Sequence, residues 1–319
     1  MKTGRSSWWN LVTFLSLIGL SLLSSASVKA QEWARFRGVN GGGQSSVGDL
    51  PTRWSESENL VWKLDLPGEG SSSPVIGGDR IFVTCSSAPA GDRRFPKRLL
   101  VCVDAVNGKV LWSAEAPDPE REDPAQGYLL EHGYASNSAA TDGRAVYAFF
   151  GKSGVAAYDM DGRKLWEVSV GSESSNRQWG SAASVTLLDE FVIINAAEEG
   201  RAVLALHRDD GRVVWKAEAT ALELAYGTPA QLKYDDGRTE LILAVPGEVW
   251  GLNAWDPKKP CPATRWFQMH PWAGRDWAEE AWLRVCPIPI YILAPEARIT
   301  NTHTRVYPFK RVPPGPFCS

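Results

Sequence analysis

A tryptophan-terminated phrase returns along the chain about every fifty residues, and a repeat of that length constrains the fold more than any other feature. Tryptophans fall at Trp62, Trp112, Trp166 and Trp215, with spacings of 50, 54 and 49. The last three close related phrases: VCVDAVNGKVLW (Val101 to Trp112), AAYDMDGRKLW (Ala156 to Trp166) and LALHRDDGRVVW (Leu204 to Trp215). Each reads as a short strand, a polar turn holding Gly108, Gly162 or Gly211, a basic residue, and a second strand. Asn-Gly and Asp-Gly between apolar runs signal hairpins, because type I′ turns need positive φ. Upstream of the phrases lie further strand pairs, at Ser72 to Thr84, Ser138 to Phe150 and Ser181 to Ala197, and a fourth unit starts at Gly227 and runs to Asn253. Four short strands in ~50 residues make one propeller blade. No stretch of 31–253 keeps a helical period over three turns. The fold class expected is therefore all-β: a partial β-propeller of about four four-stranded blades. The closing tryptophans are expected to pack between neighbouring blades.

Composition divides the chain of 319 residues at residue 253. Residues 254–319 hold 11 of the 21 prolines, 3 of the 5 cysteines and 5 of the 15 tryptophans, but only 2 of the 29 glycines, and carry a net charge of +4. Residues 31–253 carry 22 basic and 32 acidic residues, a net of −10, which argues against a nucleic-acid partner. Residues 1–30 read as an export signal: Lys2 and Arg5, an apolar run of 13 from Leu11 to Leu23, and Val28 and Ala30 before a cut. Cleavage near Ala30 leaves a periplasmic or extracellular protein; the alternative is an uncleaved N-terminal membrane anchor, for which the run is short. The domains expected are thus 1–30, signal; 31–253, propeller repeats; and 254–319, an irregular tail outside the propeller. Cys85 and Cys102 sit in apolar, strand-like runs, where they are either small buried thiols or a bridged pair.

The phrases resemble the tryptophan-docking repeat of the pyrroloquinoline-quinone (PQQ) β-propeller superfamily, the quinoprotein alcohol dehydrogenase-like fold, roughly A-x-D-x-x-T-G-K-x-x-W. Asp104, Gly108 and Trp112 fit it, as do Asp159, Gly162 and Trp166 with one residue deleted. Gly211 and Trp215 fit the third copy, where His207 stands for Asp. The opening from Trp33 to Ser46, WGSAAS from Trp179 and VPGEVWGLN from Val245 resemble secreted PQQ-like repeat proteins of planctomycete-type bacteria. In the fourth copy Asn253 takes the Asp place, Cys261 stands where tryptophan is due, and no blade phrase returns. The resemblance implies a complete ring of seven or eight blades, so 254–319 reads as an out-of-frame or fused stretch truncating a longer propeller. The alternative is a genuine divergent extension.

Two functions follow from the resemblance. One is an exported, non-catalytic binding or scaffold module with a protein or other envelope component as partner. The other is a periplasmic PQQ- and Ca²⁺-dependent dehydrogenase acting on alcohols or sugars. No cofactor is expected under the first reading. The sequence has no vicinal Cys-Cys pair, no C-x-x-C-H haem motif, no G-x-S-x-G elbow and no histidine spacing that suits zinc. No residue is nominated as catalytic or metal-binding, and cofactor contacts are unassigned. Asp104 and Asp159 are expected to be turn residues bonding their own backbone. Glu198 and Glu199, between two strands, are expected in a solvated turn. An open arc of blades exposes sheet edges, so self-association is expected. Membrane contact is expected only through the signal or an uncleaved anchor.

Overall fold

The computed structural model describes residues 33–38, 41–45, 51–87, 96–235, 237, 239–253 and 263–268. They form four antiparallel sheets of four strands, each connected in simple up-and-down order. The first holds β1 (Val75–Gly77), β2 (Arg80–Ser87), β3 (Lys97–Asp104) and β4 (Val110–Glu115). The second holds β5 (Ala140–Thr141), β6 (Ala145–Phe149), β7 (Val155–Asp159) and β8 (Lys164–Val168). The third holds β9 (Thr186–Leu188), β10 (Phe191–Ala196), β11 (Ala202–His207) and β12 (Val213–Glu218). The fourth holds β13 (Ala230–Lys233), β14 (Thr239–Val245), β15 (Glu248–Asn253) and β16 (Ala263–Gln268). The two α-helical segments among the described residues, Tyr128–His132 and Ala197–Gly200, are single turns. None of the helices there is long and apolar enough to cross a membrane.

The repeat phrase is the hairpin between the third and fourth strands. Asp104 Oδ1 accepts the amides of Val106 (2.8 Å) and Asn107 (3.0 Å), and Asp159 Oδ1 those of Asp161 (3.0 Å) and Arg163 (2.9 Å). These carboxylates fold the chain back on itself, and the turn closes on a glycine at φ +71° (Gly108), +86° (Gly162) or +72° (Gly211). Asp104→Ala removes two exposed hydrogen bonds and is expected to cost about 1 kcal/mol, read as a lower urea midpoint with an unchanged slope.

In the first and second sheets, the tryptophan of the outer strand reaches the hairpin of the next sheet. Trp112 Nε1 donates to the Met160 carbonyl (2.8 Å) and Trp166 Nε1 to that of Arg208 (2.9 Å). Trp62, which precedes β1, donates in the same way to Ala105 (3.0 Å). The indoles lie flat on the turn glycines. A Cβ on Gly108 would fall 2.6 Å from Trp62, one on Gly162 2.7 Å from Trp112, and one on Gly211 2.6 Å from Trp166. The glycine thus serves the turn and the indole together.

Side chains alternate along each strand, so both faces of an internal sheet are apolar. The first and second sheets share a core around Phe82, Leu100, Val146 and Phe150. The second and third share one around Tyr147, Phe149, Ile194 and Leu204, and the third and fourth one around Ile193, Val203, Leu241 and Leu243. Along the innermost strands, hydroxyls pass from sheet to sheet. Ser138 Oγ accepts the Ser73 amide (2.8 Å), Ser184 Oγ that of Ser138 (3.0 Å), and Thr228 Oγ1 that of Ser184 (2.9 Å).

Cys85 and Cys102 are both buried free thiols. They lie on adjacent strands but on opposite faces of the first sheet, Cys102 in the core shared with the second sheet and Cys85 on the other face. Burial pushes both thiols up to about 11.

The fourth sheet takes its outer strand from the stretch expected to lie outside the propeller. β16 pairs with β15 from Leu252↔Ala263 to Glu248↔Gln268. A backbone ladder makes no demand on side-chain identity, so the strand forms without the repeat phrase. The register shows what is lost: Trp112 lies opposite Cys102 in the first sheet, whereas Thr264 lies opposite Gly251, the corresponding position, in the fourth. The rest of 254–319 and the signal expected at 1–30 lie outside the described residues.

Candidate functional site

The segments leading into β5, β9 and β13 (116–139, 169–185 and 219–229) gather at one end of the array with the turns that follow β6 and β10. They bring together charged side chains distant in sequence. Lys152 and Asp123 form a buried ion pair (2.8 Å). Lys152 Nζ also donates to Ser174 Oγ (2.7 Å), which donates to Asp123 Oδ1 (2.7 Å). Arg98, on β3, pairs with Glu122, donates to Ser153 Oγ (3.1 Å) and lies over the Tyr134 ring, Cζ 5.0 Å from its centroid.

Glu198 and Glu199 occupy the turn after β10, and they are buried, 3% and 1% exposed. The expectation of a solvated turn fails because Asp123, Lys152 and the 169–185 segment close over them. Glu198 Oε1 accepts both the amide (3.0 Å) and the hydroxyl (2.9 Å) of Ser175, while its Oε2 and that of Glu199 have no hydrogen-bond partner. Burial, with Glu198 adding repulsion, pushes the Glu199 carboxyl up to about 8. Burial also raises that of Glu198 against the Ser175 hydrogen bonds and Lys152. The Tyr226 hydroxyl, beside Glu198, is pushed up to about 12, mainly by burial. The cavity lined by Arg98, Asp123, Lys152, Glu198 and Glu199 measures about 20 Å³, room for one water between unpaired polar atoms. The arrangement ties the first three sheets together, and burial favours the protonated form of Glu199.

An aromatic group caps this end. Tyr128 meets Trp179 edge-on (4.8 Å), Trp179 stacks on Tyr226 (5.9 Å, 28°), and the Arg177 guanidinium lies 5.6 Å from the Trp179 ring centre. His132 fixes the base of the group: Nε2 donates to the Trp179 carbonyl (2.8 Å) and Nδ1 accepts from Ser136 Oγ (2.6 Å). Tyr128 is 51% exposed.

The repeat positions Asp104, Gly108, Trp112, Asp159, Gly162, Trp166, Gly211 and Trp215 lie away from this end, at the hairpins and outer strands. Trp215 is buried in the core between the third and fourth sheets. Asp123, Lys152, Ser174, Ser175 and Tyr226 carry no local motif and were not singled out by sequence reasoning. Glu198 and Glu199 had one available signal, a carboxylate pair inside the apolar run NAAEEGRAVLAL.

PQQ does not fit this cavity, which is water-sized and whose lysine and arginine are paired with carboxylates of the same cluster, and no group of three or more His, Cys, Asp or Glu among the described residues could hold a metal ion.

A family model described as outer membrane protein assembly factor BamB matches residues 23–220 and again 99–256. Similar proteins include a polyvinylalcohol dehydrogenase of Sphingopyxis sp. (strain 113P3), 23% identical over 219 residues, 64% of this chain and 29% of that protein. A polyvinylalcohol dehydrogenase of Pseudomonas sp. is 22% identical over 213 residues, 63% of this chain and 30% of that protein. The chain therefore spans less than a third of the length of these relatives. Among solved structures, BamB from Moraxella catarrhalis aligns with a TM-score of 0.44 at 18% identity, over 62% of this chain and 54% of that one. A quinohemoprotein alcohol dehydrogenase from Comamonas testosteroni aligns with a TM-score of 0.48 at 12% identity, over 72% and 40%.

Proposed function

The chain belongs to the PQQ-like repeat family whose model is described as outer membrane protein assembly factor BamB, and on that premise we propose that it is an exported, non-catalytic propeller module that binds protein components of the cell envelope. The observation that carries this reading is the pairing of a buried, interlocked charge cluster with an aromatic and arginine group at the same end. Tyr, Trp and Arg on a rigid support are the residue types that anchor protein interfaces. The cluster beneath them supplies the rigidity: its charged side chains hold one another and leave a single water's room. Export through the segment ending near Ala30 agrees with an envelope role.

The polyvinylalcohol dehydrogenase relatives favour a second reading, a quinone-dependent oxidation of alcohols. The experiment that separates the two is reconstitution of the full chain with PQQ and Ca²⁺, followed by a dye-linked assay on primary and secondary alcohols and on polyvinyl alcohol. No turnover above the protein-free control is expected. Turnover that needs both PQQ and Ca²⁺ would overturn the scaffold reading.

A further inference from the structure

The third copy of the repeat phrase carries a charge where the first two do not. Ala105, Met160 and Arg208 occupy one position of the three hairpins, and the carbonyl of each accepts the docking indole. That role belongs to the backbone and asks nothing of the side chain. Yet the Arg208 guanidinium crosses to the second sheet, where its Nη1 donates to Asp142 Oδ2 (3.2 Å). Asp142 stands at the corner of the β5–β6 turn, the place that Gly77 takes in the β1–β2 turn. The cleft between the first and second sheets therefore has Gly77 and Met160 where the cleft between the second and third has Asp142 and Arg208. The first junction forms without that ion pair, so the fold alone does not call for it at the second.

The pair lines a cleft of about 560 Å³ at the end of the array away from Trp179, a volume that suits a small organic molecule. Segment 33–38 closes one side. The Trp33 and Ala34 carbonyls accept the amides of Ile76 (2.9 Å) and Thr141 (2.8 Å), which sets Arg35, only 8% exposed, against the cleft. Lys233, exposed on β13, lines another side. Arg35, Arg208 and Lys233 thus stand against two carboxylates, Asp142 and Asp189. Asp142 is already engaged by Arg208 and by the amides of Arg144 and Ala145 (both 2.9 Å), so positive charge is in excess. No aromatic ring lines the cleft among the described residues; Asp189 and Gln231 offer hydrogen bonds instead. In the cleft between the first and second sheets, Arg80 is turned to Asp161 (3.2 Å).

We propose that the cleft between the second and third sheets binds an acidic sugar, a hydroxyl-rich molecule carrying one carboxylate. Arg208, held at Nη1 by Asp142, gives the rest of its planar fork to the carboxylate, a pairing that an ammonium cannot reproduce. Arg35 and Lys233 add charge, and Asp189 and Gln231 take the hydroxyls. With no ring to stack on the sugar face, affinity depends on the guanidinium.

Isothermal titration of the full chain with D-glucuronate, D-glucose and D-glucose 1-phosphate tests this. Glucuronate is expected to bind about tenfold more tightly than either of the others. Arg208→Met installs the residue type found at position 160 and is expected to weaken glucuronate binding by about tenfold. Asp142 keeps the Arg144 and Ala145 amides and the Tyr147 hydroxyl (3.3 Å) in that variant, so the circular-dichroism melt is expected to stay close to the parent's. Arg208→Lys keeps the charge without the fork and is expected to bind glucuronate with an affinity between those of the parent and Arg208→Met. No binding of glucuronate, equal affinity for glucose, tighter binding of the phosphate, or undiminished binding by Arg208→Met or Arg208→Lys would each overturn the proposal.

Discussion

Trp166→Ala is expected to lower the stability of the array by about 3–5 kcal/mol. Trp166 is 8% exposed and fills the core between the second and third sheets, 6.0 Å from the Tyr147 ring. Truncation removes the indole, opens a cavity against Gly211, and leaves the Arg208 carbonyl without its donor. The surroundings cannot collapse into the gap, because one wall is backbone at the hairpin and the other is sheet. An array of repeats is stabilised by its interfaces as well as by its units, so the loss is concentrated at one junction. The urea transition should therefore move to lower concentration and broaden, as the first two sheets begin to melt apart from the last two. Trp166→Phe keeps a ring in the gap and loses the hydrogen bond, so it should fall between parent and Ala. Trp112→Ala should cost less, because that indole is only half-buried. If Trp166→Ala shifted the transition no more than a surface substitution does, the docking tryptophans would not be what holds the sheets together.

The same tryptophans explain why so much of the fold is legible in the sequence. Each closes a phrase whose parts act locally: Asp104 or Asp159 bonds its own turn, and the glycine three or four residues later supplies positive φ. Local signals repeat with the blade, and the repeat reveals the architecture. The fourth sheet marks the boundary of that logic. Its outer strand follows no repeat phrase, and nothing in the residues around Thr264 announces it. The charge cluster lies wholly beyond the boundary. Asp123, Lys152 and Glu199 come from three separate stretches, and no one of them is unusual where it stands. Only the stacking of one sheet on the next places them around one cavity, and so a carboxylate pair that reads as a surface turn is among the most buried polar groups described.

That burial sets the second large effect, a fall in stability as pH rises. The Glu199 carboxyl is held up to about 8 in the folded chain against an ordinary 4.5, with burial as the main cause and Glu198 adding to it. The groups facing it are Glu198, Lys152 and Ser181; the Ser181 hydrogen bond and the Lys152 charge oppose the shift without cancelling it. The folded state therefore keeps a proton that the unfolded state releases. Below 4.5 both states are protonated and Glu199 exacts nothing. Between 4.5 and 8 stability falls steadily as pH rises, and above 8 the loss is complete. Glu198 acts in the same direction, its carboxyl also raised by burial. Glu199→Gln retains shape and neutrality but has no proton to lose. Urea unfolding at intervals from pH 5 to 8 should show the parent losing stability steadily and the variant losing much less, so that the variant is the more stable protein at pH 8. Parallel profiles would mean that Glu199 is ionised in the folded chain, with Lys152 as its counter-charge instead of Asp123's. The cluster would then be an ion-pair lattice rather than a proton-holding lock, and Glu199 would give the support beneath Trp179 no pH dependence of its own between pH 5 and 8.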